Sequence, residues 1–137
     1  MKKILQIFSI IALFASCNKN ETILQSAVDQ ANKLCPMTVD EITTLEYVKY
    51  YPGDTILTYD YVINEEKCPI TLISANLETL GETMKSNLNS PATKILTDAC
   101  SNAGVLIKFS YRGDQSKESC AVVYDPKTGK TEYEPIE

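Results

Sequence analysis

An apolar run, Ile4 to Phe14, follows Met1-Lys2-Lys3 and leads through Ala15-Ser16 to Cys17. At about eleven residues it is too short for a permanent membrane span, which needs ~20. A basic start, a short apolar stretch and small residues form the pattern of a secretory signal peptide. This feature constrains the fold most, because an exported chain folds where thiols oxidise. Cys35, Cys68, Cys100 and Cys120 then form an even set expected to make two disulfides, with three ways to pair them.

An ordinary signal ends in a small-x-small site, whereas this one ends in cysteine. The segment "FASC" at 14–17 resembles the bacterial lipoprotein lipobox, with Phe14 standing where leucine is usual. The resemblance implies that the Cys17 thiol carries a diacylglyceryl group and that the signal is cut just before it. A thiol is the most nucleophilic side chain for such an alkylation. Each buried methylene contributes ~0.8 kcal/mol, and stable anchoring takes more than one chain. The expected organisation is a signal peptide over 1–16, a lipid-anchored tether over 17–20, and one domain over 21–137. The implied location is the bacterial cell envelope, the outer membrane preferred over the inner, with the domain in the periplasm or at the cell surface.

Thirteen basic and eighteen acidic side chains give a net charge of −5, and removal of Lys2 and Lys3 deepens it to −7. That balance argues against nucleic-acid partners and gives no polybasic support at a membrane surface. Membrane contact is therefore expected through the lipid on Cys17 alone.

Along the mature chain, Ile23, Leu24, Ala27, Val28, Ala31 and Leu34 recur at helical spacing. They predict an amphipathic helix over 21–34, stopped by Cys35-Pro36. Residues 38–63 read as a hairpin, with "TTLEYVKYY" and "TILTYDYVI" flanking a Pro52-Gly53 turn of type II. Leu57, Tyr59, Tyr61 and Ile63 share one face, expected to be the more buried. If Tyr51 faces Asp54, Cys35 and Cys68 become diagonal neighbours at the open end. That register predicts a Cys35–Cys68 bridge closing a loop of ~34 residues, with ~3–4 kcal/mol from chain entropy. Cys100–Cys120 is the complementary bridge.

Ile73, Leu77, Leu80, Met84 and Leu88 predict a helix after Thr71. Ser90-Pro91 opens another that ends before Gly104. Alternation at Val105, Ile107, Phe109 and Tyr111 predicts a strand, "GDQSKES" a loop and "CAVVY" its partner strand. "TEYEP" is the candidate for a short, charged final strand. The order α-β-β-α-α-β-β predicts an α+β fold, an antiparallel sheet of about four strands with helices on one face. Pattern alone leaves open whether the two hairpins share a sheet.

Chemistry is sparse in the sequence. Without histidine there is no Ser-His-Asp set, no Cys-His set and no mixed cysteine–histidine zinc site. No cofactor and no metal site are expected. The adjacent acids Asp40-Glu41 and Glu65-Glu66, read as strand residues, point to opposite faces and cannot form a dyad. The tyrosines Tyr47, Tyr51, Tyr59 and Tyr61 mark the candidate binding surface, since tyrosine gives broad contact area with a polar tip. They also suit strand packing in a chain without tryptophan.

The layout of lipobox, helix, "CP", tyrosine-rich hairpin, leucine-striped helices and closing hairpin is similar to small bacterial envelope lipoproteins. The expected function is a non-catalytic binding or interaction module for an envelope protein or a small ligand. One alternative is an inhibitor of a hydrolase, inserting loop 112–119 or the Pro52-Gly53 turn. The other is an enzyme with a carboxylate or metal site.

Overall fold

The computed structural model describes residues 20–137, so the expected signal peptide and Cys17, the expected lipidation site, lie outside the described residues. Helix α1 spans Asn20–Leu34 and buries Ile23, Leu24, Ala27, Val28 and Ala31 along one stripe, as the periodicity predicts. Then follow β1 (Met37–Thr38), β2 (Thr43–Lys49), β3 (Ile56–Ile63), α2 (Ile70–Ala75) and α3 (Leu77–Leu88). A 3-10 turn, Pro91–Thr93, leads into α4 (Lys94–Ala103), and β4 (Leu106–Gly113), β5 (Ser119–Tyr124) and β6 (Thr131–Glu134) complete the chain.

The α+β class and the helices on one face agree with expectation, but the sheet does not have four antiparallel strands. It has six, in chain order, and the central pair β3–β4 is parallel, from Ile56 beside Leu106 to Ile63 beside Gly113. A parallel neighbour needs a crossover of a dozen or more residues. The helical segment between β3 and β4 supplies it, so the two hairpins share one sheet through their middle strands.

The first hairpin also differs from the expected one. Its opening strand begins at Thr43, and Met37–Thr38 folds back to pair with the outer side of β2. Asp40 makes that reversal, its Oδ1 accepting from the backbone N–H of Ile42 at 2.9 Å and Thr43 at 2.8 Å. The Tyr51–Asp54 turn forms, with Gly53 at φ 91° as a type II turn requires. A wider loop brings Lys49 opposite Thr58, two residues off the expected register, and a bulge at Glu46 takes one of those residues back. The hairpin register that joined Cys35 to Cys68 is therefore not the one adopted. In this structure Cys35, Cys68, Cys100 and Cys120 are all free thiols.

Beneath the helices, the odd-numbered residues of β3 and β4 build the core. Tyr59 lies opposite Phe109 and Tyr61 opposite Tyr111, with ring centroids 5.4 Å and 5.1 Å apart. Tyr61 also stacks on Phe109, giving a continuous aromatic ladder over the parallel pair. Helix α1 packs on α4 and β2, α2 on β4 and β5, and α3 on β5 and β6. The single stripe expected from Ile73 to Leu88 is split at Asn76, whose side chain donates to Leu72 O at 2.8 Å. Gly104 ends α4 in the left-handed conformation at φ 70°, as its place just past the helix predicts.

Candidate functional site

Because all four helices of the described residues pack on one face, the opposite face of the sheet has no covering layer among those residues. Tyr47 stands there opposite Asp60, 43% exposed, with its hydroxyl hydrogen-bonded to the Asp60 carboxyl. Burial pushes the Asp60 carboxyl above the usual range, and the bond from Tyr47 partly offsets this. Next to them Arg112 donates to Glu46 Oε2 at 2.7 Å, and further along Lys108 pairs with Glu134 at 3.0 Å. The surface continues into a shallow groove bounded by Lys108, Ser110, Ser119, Glu134 and the tail Pro135–Glu137.

The four tyrosines of the expected binding surface divide. Tyr47 is on the uncovered face, and Tyr51, 65% exposed, projects at the hairpin tip. Both border a second groove, between α1 and β2, with Gln25, Asp29, Asn32 and Lys49. Tyr59 and Tyr61 are buried in the aromatic ladder and form no part of a surface, which corrects their assignment. The reason is strand alternation: odd positions of β3 face the helices and even positions face away.

The acidic pairs are turn residues and not strand residues. Asp40 is occupied by the backbone of its own turn. Glu65 reaches across to the loop after β4, accepting from Gln115 N at 2.9 Å and Ser116 N at 2.7 Å on Oε1, and from Ser116 Oγ at 3.1 Å on Oε2. Asp114 Oδ1 accepts in return from Glu65 N at 3.0 Å. These donors hold the Glu65 carboxyl below the usual carboxylate range, the Ser116 N–H first among them. Among the described residues no cluster of three or more cysteine, aspartate or glutamate side chains could hold a metal ion.

Sequence reasoning missed a cavity of about 110 Å³ on the helical side. Tyr61 and Tyr111 belong to its wall, with Ile42 and Thr43 from the Asp40 turn, Ile73 from α2 and Met84 from α3. The hydroxyls of both tyrosines are buried and have no hydrogen-bond partner among the described residues. The available signal was two tyrosines at buried positions of adjacent strands, where alternation hides a polar tip under apolar helices.

No family model matches the chain, and no curated protein matches it in sequence. Among solved structures, the fold is similar to that of a Pseudomonas aeruginosa protein classed as secreted, with a TM-score of 0.64. The likeness covers 81% of this chain and 93% of that one at 8% identity, and therefore concerns the fold alone.

Proposed function

We propose that this chain is a non-catalytic module of the bacterial envelope, tethered by lipid on Cys17, that binds a partner protein through its uncovered sheet face. The observation that carries this reading is Tyr47, an exposed aromatic held in place by Asp60 and flanked by the Glu46–Arg112 pair. Tyrosine and arginine are the residue types that dominate protein–protein hot spots. The face is broad and shallow, so a small molecule lying on it would keep much of its surface in water. Six strands at ~4.8 Å spacing offer roughly 600 Å² of face, close to the ~800 Å² that each partner contributes to a standard interface. The acidic balance disfavours nucleic acid, and Asp40 and Glu65 are both engaged by backbone N–H groups, which leaves them poorly placed for acid–base work.

Capture from intact envelopes tests this reading by comparing the acylated wild type with Tyr47→Ala, Arg112→Ala and Tyr51→Ala. One stoichiometric partner retained by Tyr51→Ala and lost from the other two supports it. Equal recovery with all four proteins defeats it. The mass of the mature N-terminal peptide tests the tether, which requires fatty acyl groups on Cys17.

The inhibitor reading draws support from the loop 113–118, which Glu65 fixes from within while Gln115, Ser116 and Lys117 remain exposed. A preordered loop binds at a lower entropic cost. A tight, salt-sensitive complex with a basic hydrolase, lost on Glu65→Ala, would favour it.

A further inference from the structure

The cavity beneath the helices lies on the opposite side of the sheet from the proposed partner surface, and its character is different. Its wall is apolar apart from the Asp40 turn and the two tyrosines, with Ile42, Ile73, Leu80 and Met84 supplying most of the lining. Its floor is the stacked pair Tyr61 and Tyr111, 1% and 4% exposed. Both hydroxyls lack a partner among the described residues, although a buried hydroxyl left unpaired is costly. Two unpaired donors side by side, in a core whose other polar groups are mostly satisfied, mark a place where an acceptor is missing.

We propose that this cavity is a binding site for a compact, apolar small molecule that carries one hydrogen-bond acceptor, a ketone, ester or ether oxygen, which Tyr61 and Tyr111 recognise. The volume sets the size: an apolar cavity of about 150 Å³ holds benzene, so about 110 Å³ admits a molecule of roughly four or five heavy atoms. The donors set the polarity. Burial pushes both phenols well above the usual tyrosine value, so both remain protonated and able to donate at any working pH. A carboxylate ligand is disfavoured, because no cation lines the cavity and the Asp40 carboxylate borders it. A pure hydrocarbon would fill the space and leave both hydroxyls unpaired.

The test is a methyl NMR titration of the purified protein with two molecules of the same shape, cyclobutanone and methylenecyclobutane. Cyclobutanone is expected to shift the Met84, Ile73 and Leu80 methyl resonances saturably and to bind at least about tenfold more tightly than the hydrocarbon, since the hydrocarbon cannot accept. In the Tyr61→Phe/Tyr111→Phe double variant the two should bind equally. That variant only removes unpaired hydroxyls, so it should melt no lower than the wild type, and its unliganded methyl spectrum reports whether the cavity is intact. Equal affinity of the two molecules for the wild type overturns the acceptor requirement. Absence of saturable shifts with both, or an ordered water bridging the hydroxyls that neither molecule displaces, overturns the site.

Discussion

Asn32 pairs with Val48 through both ends of its amide, Nδ2 donating to Val48 O at 2.8 Å and Oδ1 accepting from Val48 N at 2.7 Å. A side chain on α1 thus takes the place of a neighbouring strand just where β1 stops, since β1 covers only Thr44 and Leu45 of β2. Unpaired strand edges invite association with other chains, and this amide closes part of the edge without adding a strand. Asn32→Ala should cost about 1–2 kcal/mol for two lost bonds. Asn32→Asp should cost at least as much, because a carboxylate would face the Val48 carbonyl. Urea unfolding measures both, and sedimentation at rising concentration should reveal weak self-association of the alanine variant. Unchanged stability in both variants would contradict this role.

The Glu65 clamp predicts an acid-sensitive loop. Its folded pKa lies below the ordinary value of 4.5, so its contribution to stability is fully present above that value and is lost as pH falls through the folded pKa. The protection of the Gln115 and Ser116 amides relative to their intrinsic exchange rates should fall below pH 4.5 in the wild type, and in Glu65→Gln it should be low and flat with pH. Gly113 belongs to the same device, since a Cβ there would land on the Glu65 carboxylate. Gly113→Ala should lower Tm, and most of that loss should vanish in a Glu65→Ala background. Equal losses in both backgrounds would break the link.

Two buried threonines carry the junction between α3 and α4. Thr93 Oγ1 donates to the carbonyls of Asn87 and Leu88 at 2.8 and 2.9 Å, and Thr97 Oγ1 to Leu88 O at 2.8 Å. These satisfy C-terminal carbonyls that a helix leaves without partners. Thr93→Val and Thr97→Val keep the shape and remove the donors, at about 1–2 kcal/mol each. Because each single variant leaves Leu88 O with one donor and the double leaves it with neither, the double variant should lose more than the sum. Additive losses in chemical denaturation would show the two to be independent.

The thiols predict an order of reactivity in the reduced, folded protein. Burial pushes Cys100 up to about 12 and Cys120 up to about 11. At pH 8 only about one Cys100 in ten thousand is then thiolate, and thiolate is the reactive form. Cys35, at the end of α1 and partly exposed, should take up maleimide first, although burial raises it too. Rapid labelling of Cys100 without unfolding would contradict the burial. Peptide mapping of oxidised protein reads which thiols pair in an oxidising compartment.

Local signals carried the elements far better than they carried the sheet. The helical stripe of α1, the Pro52-Gly53 turn, the Gly104 stop and the alternation of β3 and β4 depend on neighbours a few residues apart, and the structure has them where the sequence predicts. The Thr38 strand start failed because the Asp40 side chain could cap a reversal there, and "VDE" reads equally well as extended chain.

The candidate sites were partly legible. Tyr47 and Tyr51 were visible as exposed aromatics, whereas the unpaired hydroxyls of Tyr61 and Tyr111 depend on two strands fifty residues apart lying parallel. Glu65 and Asn32 looked like ordinary surface residues, because their partners are backbone groups 50 and 16 residues away. By itself the sequence determined which segments are helix or strand and which face of each is apolar, since both follow from periodicity and turn chemistry. Tertiary structure alone decided the parallel β3–β4 pairing, which strands make up the uncovered face, and the cavity. Each is a contact between distant segments, chosen by how three crossover helices pack on the sheet, and local spacing does not encode that choice.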